Sequence, residues 1–118
     1  MIVIVDDHPD ICRGIELTLR LSGLPARCFC DPFKALVFVR KERPTLLLLD
    51  MMMPGMSGIE LLTAVRAEPN LQGLPVVMMS ACPTERAVAD AARLGVGLVL
   101  SKCNFEWSQL PKLISRSV

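Results

Sequence analysis

Three carboxylates, one hydroxyl and one ammonium each stand at or just beyond the end of a short apolar run. Asp6 and Asp7 follow Ile2–Val5, Asp50 follows Leu46–Leu49, Ser80 follows Val76–Met79 and Lys102 lies just beyond Leu98–Leu100. Carboxylates crowded together repel, each pair at ~4 Å costing about 1 kcal/mol in water and about 4 kcal/mol at an effective dielectric near 20. Two relievers suit them, the Lys102 ammonium and a divalent cation. Magnesium fits the donor set, because it takes oxygen ligands, keeps waters and is held by one or two carboxylates plus a phosphate. Calcium wants more oxygens than these residues offer. A carboxylate beside such positive charge can also act as the nucleophile in phosphoryl transfer, forming an acyl phosphate. Asp50 is the best acceptor, since it ends a central apolar run and precedes the turn-forming Pro54-Gly55 and Gly58. Ser80 and Lys102 would then supply a donor and a charge to the phosphoryl oxygens.

The elements that would bring these residues together are legible as an alternation. Ile2–Val5 is a short β-branched strand, and Pro9 opens a helix on which Ile11, Ile15 and Leu19 recur until Gly23 closes it. Ala26–Cys30 is a weaker strand. Asp31-Pro32 reads as an N-cap and first-turn proline, with Phe33, Leu36 and Val37 as the apolar face of the second helix. Leu46–Leu49 is apolar throughout, as a strand covered on both faces is. Ser57 and Glu60 have capping-box spacing ahead of a helix that ends before Pro69. Val76–Met79 is a buried strand, Thr84–Leu94 an alanine-rich helix closed by Gly95, and Leu98–Leu100 a fifth strand. The last helix begins near Ser108, where the donor missing from Pro111 falls in the first turn, and Trp107, Leu110, Leu113 and Ile114 supply its apolar side.

Five rounds of strand then helix call for a doubly wound α/β fold, a parallel sheet covered on both faces. Ligands bind such sheets outside the carboxyl ends of the strands. All the residues singled out above fall on that one rim. An Asp-Asp pair alone reads as a solvated turn and a lone lysine as a solvated charge; their joint placement favours a site. His8, beside the acidic pair, reads chiefly as a helix-start residue and secondarily as a metal ligand.

Bulk properties narrow the function classes. A chain of 118 residues is expected to form one domain, spanning 1–118, with no output domain attached. No apolar run approaches the ~18 residues of a membrane span, and Asp6-Asp7 interrupts the opening apolar stretch that a signal peptide would need, so a cytoplasmic location is expected. A net charge of +1 gives no field that would draw nucleic acid directly. Five cysteines without a Cys-x-x-Cys pattern argue for free thiols rather than zinc or disulfides.

In order along nearly the whole chain, these residues resemble the response-regulator receiver family. Val5-Asp6-Asp7-His8-Pro9 is similar to the family's acidic opening, and Asp50-Met51-Met52-Met53-Pro54-Gly55-Met56-Ser57-Gly58 to its phosphoacceptor signature. Val76–Ala81 resembles the strand ending in a switch hydroxyl, and Gly95–Lys102 the segment leading to the lysine. The resemblance implies a flavodoxin-like (βα)5 fold with strand order 2-1-3-4-5. It also implies a signalling phosphoacceptor rather than an enzyme. Asp50 would be phosphorylated by a sensor histidine kinase or phosphotransfer protein. Mg2+ would be held by Asp7, Asp50 and the backbone carbonyl of Met52, with Asp6 acting through water. Lys102 would pair with the phosphate, and Ser80 would hydrogen-bond it and rearrange the fourth helix, fifth strand and fifth helix for a downstream effector or output domain.

Three departures from the family pattern bear on switching. Val99 stands where an aromatic is usual, and Cys103 where proline often follows the lysine in a cis peptide; a trans bond is expected here, since a non-proline cis bond costs ~2.5–4 kcal/mol. Met52 and Cys82, each two residues beyond a site residue, are expected to shield the phosphate from water and slow its loss. Without an aspartate at position 52, the Asp-x-Asp of haloacid-dehalogenase phosphohydrolases is absent, and no Gly/Ser/Thr-rich loop follows the first strand as in a flavin binder. The rival reading is a phosphorylation-independent binding module of the same fold. The methionine run and Trp107 are expected to serve a partner surface, with the fourth and fifth helices forming a homodimer or docking face.

Overall fold

The computed structural model describes residues 1–117; the last residue of the expected domain, Val118, lies outside them. The elements run β1 (Ile2–Val5), α1 (Pro9–Leu21), β2 (Ala26–Phe29), α2 (Pro32–Glu42), β3 (Leu46–Asp50), α3 (Gly58–Ala67), β4 (Val76–Ser80), α4 (Glu85–Arg93), β5 (Val99–Ser101) and α5 (Leu110–Ser117). Short 3-10 turns at Pro69–Leu71 and Trp107–Gln109 precede β4 and α5. All strands are parallel, in the order β2-β1-β3-β4-β5. This is the doubly wound, flavodoxin-like arrangement expected from the alternation and the resemblance.

The apolar runs of β1, β3 and β4 divide their side chains between two cores, because successive residues of a strand face opposite ways. Val3, Val5, Leu47, Leu49, Val76 and Met78 pack under α2, α3 and α4. Ile2, Ile4, Leu46, Leu48, Val77 and Met79 pack under α1 and α5. A strand buried on both faces cannot alternate with polar residues, which explains the uninterrupted Leu46–Leu49.

Caps fix where the helices begin. Asp31 accepts from the backbone N–H of Phe33, with Pro32 in the first turn of α2. Ser57 and Glu60 form both arms of a capping box at α3. Thr84 caps α4 by accepting from Ala87. Gly58 is the first residue of α3 and lies against the end of β3. A Cβ there would stand 2.3 Å from the Asp50 carbonyl oxygen and 2.8 Å from Met51 Cα. Only glycine lets the helix start approach that strand end so closely.

Three details differ from expectation. On α1 the buried face is Cys12, Ile15 and Leu19, with Ile11 exposed. On α2 it is Pro32, Ala35, Leu36 and Val39, while Phe33 and Val37 face solvent. On α1 Ile15 and Leu19 are buried as expected and Cys12 takes the place of Ile11. On α2 Leu36 is buried as expected while the rest of the face shifts. The cause in both is that each helix carries more apolar positions than its sheet-facing stripe can use. Of the three consecutive methionines, Met51 and Met53 are buried in the core and only Met52 is exposed. Among the described residues there is no cis peptide bond, including at Lys102–Cys103.

Candidate functional site: an acidic rim beside Lys102

Parallel strands of similar register end at a common edge, and that geometry assembles the site. Asp6 follows β1, Asp50 is the last residue of β3 and Ser80 the last of β4; Lys102 follows β5. The Lys102 N–H donates to the Ser80 carbonyl at 2.8 Å, tying the ends of β4 and β5 together. Asp6, Asp50 and Ser80 are the buried polar residues among those described.

Lys102 reaches two of the carboxylates. Its Nζ stands 2.5 Å from Asp6 Oδ2 and 3.2 Å from Asp50 Oδ1. Burial works to lower the lysine pKa, but the hydrogen bond to Asp6 and the charges of Asp50 and Asp6 outweigh it and raise the pKa overall. The ammonium is therefore fixed as a cation. For Asp50 the balance runs the other way. Burial and the charge of Asp6 push its carboxyl up to about 6, against the opposing pull of Lys102 and of the Met52 backbone N–H that donates to it. One lysine does not relieve three carboxylates.

What remains is a site short of positive charge. Ligand atoms of Asp6, Asp7, His8 and Asp50 all lie within 4.8 Å of one another. Asp7 Oδ1 is buried and, among the described residues, has no hydrogen-bond partner. An orphaned carboxylate oxygen facing two further carboxylates fits a hard divalent cation such as Mg2+.

The acceptor end is open to solvent. A cavity of about 560 Å3 is lined by His8, Asp50, Met52, Ser80, Cys82 and Lys102, among others. Ser80 Oγ accepts from the Cys82 backbone N–H at 3.3 Å, leaving its proton free to donate elsewhere. Met52 and Cys82 are both exposed at this mouth.

The expected site residues Asp6, Asp7, Asp50, Ser80, Lys102 and Met52 thus stand at one rim. His8 joins them more closely than its sequence position suggested. It is the N-cap of α1, yet its side chain makes no capping bond there. Instead its Nδ1 lies 3.1 Å from Asp6 Oδ1 and 3.2 Å from Asp7 Oδ1. The only available signal was its adjacency to the acidic pair. Trp107, in contrast, lies away from the site, packing edge-on against Phe105 and lining a groove with Ile11, Thr18 and Leu110 between α1 and α5. It therefore does not join Met52 in a single apolar patch.

Comparison with known proteins places this geometry in a family. Over 80 residues, or 68% of the chain, it is 40% identical to the DNA-binding response regulator MtrA of Mycolicibacterium smegmatis, of which that stretch is 34%. The chain thus spans about a third of the length of the curated relatives it matches. Among solved structures, the Vibrio cholerae chemotaxis protein CheY4 superposes with a TM-score of 0.91 at 26% identity, covering 99% of this chain and 97% of that one. A response regulator receiver protein from Pseudomonas putida, at 23% identity and TM-score 0.89, covers 98% and 94% and shares the fold. The profile described as "Response regulator receiver domain" matches residues 2–115. The chain belongs to the response regulator receiver domain family, a family of signalling domains rather than classical enzymes.

Proposed function

We propose that this receiver accepts a phosphoryl group on Asp50, with Mg2+ bound beside it, from a sensor histidine kinase or phosphotransfer protein. The observation that carries the reading is the buried Asp50 carboxylate standing 3.2 Å from Lys102 Nζ at the mouth of an open cavity, with an unsatisfied Asp7 oxygen alongside. Asp7, Asp50 and the Met52 carbonyl would hold the ion directly, and Asp6 would hold it through water. Bound there, the cation neutralises charge on the phosphoryl oxygens.

The protein's own groups carry the remainder. An Asp50 oxygen forms the new O–P bond while the P–N bond to the donor imidazole breaks. Lys102 stays protonated and faces the incoming charge, and the Ser80 hydroxyl donates to a phosphoryl oxygen. That pull on Ser80 acts on the end of β4, which is tied to Lys102 at the end of β5, so α4, β5 and α5 receive the displacement. Those elements would then bind a downstream effector or output domain, or a second copy of the chain.

Among the described residues no helix is long and apolar enough to cross a membrane. A cytoplasmic setting, where nucleotide-driven phosphoryl donors work, fits the proposed role.

The test is binding of Mg2+ and beryllofluoride, an aspartyl-phosphate mimic, followed by amide chemical shifts. Saturable, Mg2+-dependent shifts at Ser80 and in α4–β5 are expected, and their complete loss in Asp50→Asn. A folded wild-type protein that shows no shifts would favour the phosphorylation-independent binding module, for which Val99 and Cys103 are the specific residues in favour. A second expectation concerns lifetime. Met52 and Cys82 line the cavity mouth, where their thioether and thiol would stand in the path of water to the phosphorus. Met52→Asn should shorten the half-life of phospho-Asp50 severalfold in a phosphate-release assay, and an unchanged half-life would remove Met52 from this role.

A further inference from the structure

Resting on the reading of this rim as a cation site, we infer that His8 Nδ1 is itself a metal ligand and biases the site toward Mn2+ and Co2+ over Mg2+. Two cis ligands on one octahedral ion, each 2.0–2.1 Å from it, stand about 2.8–3.0 Å apart. His8 Nδ1 lies 3.2 Å from Asp7 Oδ1, close to that octahedral edge, whereas its 3.1 Å contact with Asp6 Oδ1 is a hydrogen bond. The Asp7 contact has this spacing without being a hydrogen bond, for Asp7 Oδ1 has no hydrogen-bond partner among the described residues. A nitrogen and a carboxylate oxygen at 3.2 Å that do not bond each other are arranged as two donors facing a common third point.

The ring is held over the acidic pair by its own hydrogen bond, Nδ1 to Asp6 Oδ1 at 3.1 Å, and not by packing or capping. The side chain is 61% exposed, so packing does not drive it inward. It does not cap α1, although it occupies the N-cap. The backbone reinforces this, since the His8 N–H donates to the same Asp6 Oδ1 at 2.9 Å and keeps the residue folded over the acidic pair. The Asp6 oxygens are also largely committed, one to Lys102 and the other to the His8 N–H and ring. That makes Asp6 a poor direct ligand and leaves a coordination position for the imidazole. Nδ1 hydrogen-bonds Asp6 Oδ1; to ligate, it presents its lone pair instead, with the ring proton carried on Nε2.

A nitrogen donor changes which ion wins. Magnesium favours oxygen ligands and keeps its waters, whereas imidazole suits the first-row divalent ions, with affinity rising from Mn2+ to Co2+ and beyond. His8 should therefore raise Mn2+ and Co2+ affinity much more than Mg2+ affinity.

The protein tests this cleanly, because His8 is its only histidine. Untagged protein loaded with Mn2+ is examined by pulsed EPR for imidazole 14N coupling, and Mn2+ and Mg2+ affinities are measured by titration and competition. Wild type is expected to show the coupling. His8→Ala should lose it, with Mn2+ affinity falling about tenfold or more and Mg2+ affinity changing less than about threefold. Mn2+ bound without 14N coupling, or an unchanged Mn2+:Mg2+ ratio in His8→Ala, overturns the inference and leaves the phosphoacceptor reading standing. Failure of wild type to bind either ion overturns both.

Discussion

Gly58→Ala should destabilise the domain by about 3 kcal/mol or more, read as a drop of ~10 °C in Tm or a lower urea midpoint at unchanged slope. The added methyl would stand 2.3 Å from the Asp50 carbonyl oxygen, 2.8 Å from Met51 Cα and 2.9 Å from Met78 Cε. Met78 can turn aside, but the first two atoms belong to the backbone at the end of the central strand. The Gly58 N–H also donates to the Met51 carbonyl at 2.9 Å, so α3 cannot withdraw without losing that bond. Relief must come from shifting Asp50 itself, and the variant should bind beryllofluoride more weakly even where it remains folded. Gly14→Ala is the control. Nothing lies within 4 Å of its would-be Cβ and it sits within α1, so it should stabilise by about 0.5–1 kcal/mol through helix propensity and a less disordered unfolded chain. Opposite signs for the same chemical change would locate the effect in the contact at the end of β3.

The contrast between these two glycines also marks what the amino-acid sequence discloses. Gly58 stands in the stretch that resembles the phosphoacceptor signature, but its reason is a distance across two elements that no local pattern contains. Wherever one pattern has one structural solution, the reading from sequence matches the structure. The uninterrupted Leu46–Leu49 required a strand covered on both sides, and Ser57 with Glu60 required a helix start. Where the pattern is degenerate, it does not. In α2 the run Pro32–Val39 is apolar at nearly every position, so a face through Phe33 and Val37 and a face through Ala35 and Val39 are equally plausible from periodicity, and only the position of the sheet selects the second. Met51, Met52 and Met53 are chemically identical; the turn after β3 buries the outer two and exposes the middle one.

The site divides in the same manner. That Asp6, Asp7, Asp50, Ser80 and Lys102 share a rim follows from parallel strands and the rule that sites lie at their carboxyl ends. The pairing among them does not follow. Sequence reading assigned Lys102 to the phosphate, but its closer partner in the structure is Asp6, at 2.5 Å against 3.2 Å for Asp50. A lysine so held is already placed for a phosphoryl group on Asp50 and is meanwhile spent on a second carboxylate. Asp50 is therefore left with less compensation than its burial demands.

That shortfall has a measurable consequence for stability. In a metal-free buffer with chelator, Asp50→Asn should raise stability at pH 7 by about 1–3 kcal/mol, several degrees in Tm. Burial, with the charge of Asp6, lifts the Asp50 pKa from an ordinary 3.8 to about 6 in the folded protein. Between those two values the native state binds more protons than the unfolded chain. Stability contributed by this residue is thus highest below about pH 4, falls as pH rises toward 6, and stays low above it. The full shift corresponds to about 3 kcal/mol, and water entering from the open mouth brings the expected figure below that. Asparagine cannot ionise, so the variant should lack this slope and its advantage should vanish near pH 4. Mg2+ should reproduce the gain in the wild type at pH 7 by supplying the missing charge, with a smaller effect on the variant. Were wild type and Asp50→Asn to show the same pH profile without metal, the charge deficit assigned to Asp50 would be wrong. Cation binding would then need another driving force. The expected profile instead makes the acceptor carboxylate a source of instability that a bound cation relieves, and so links occupancy of the rim to the stability of the fold around it.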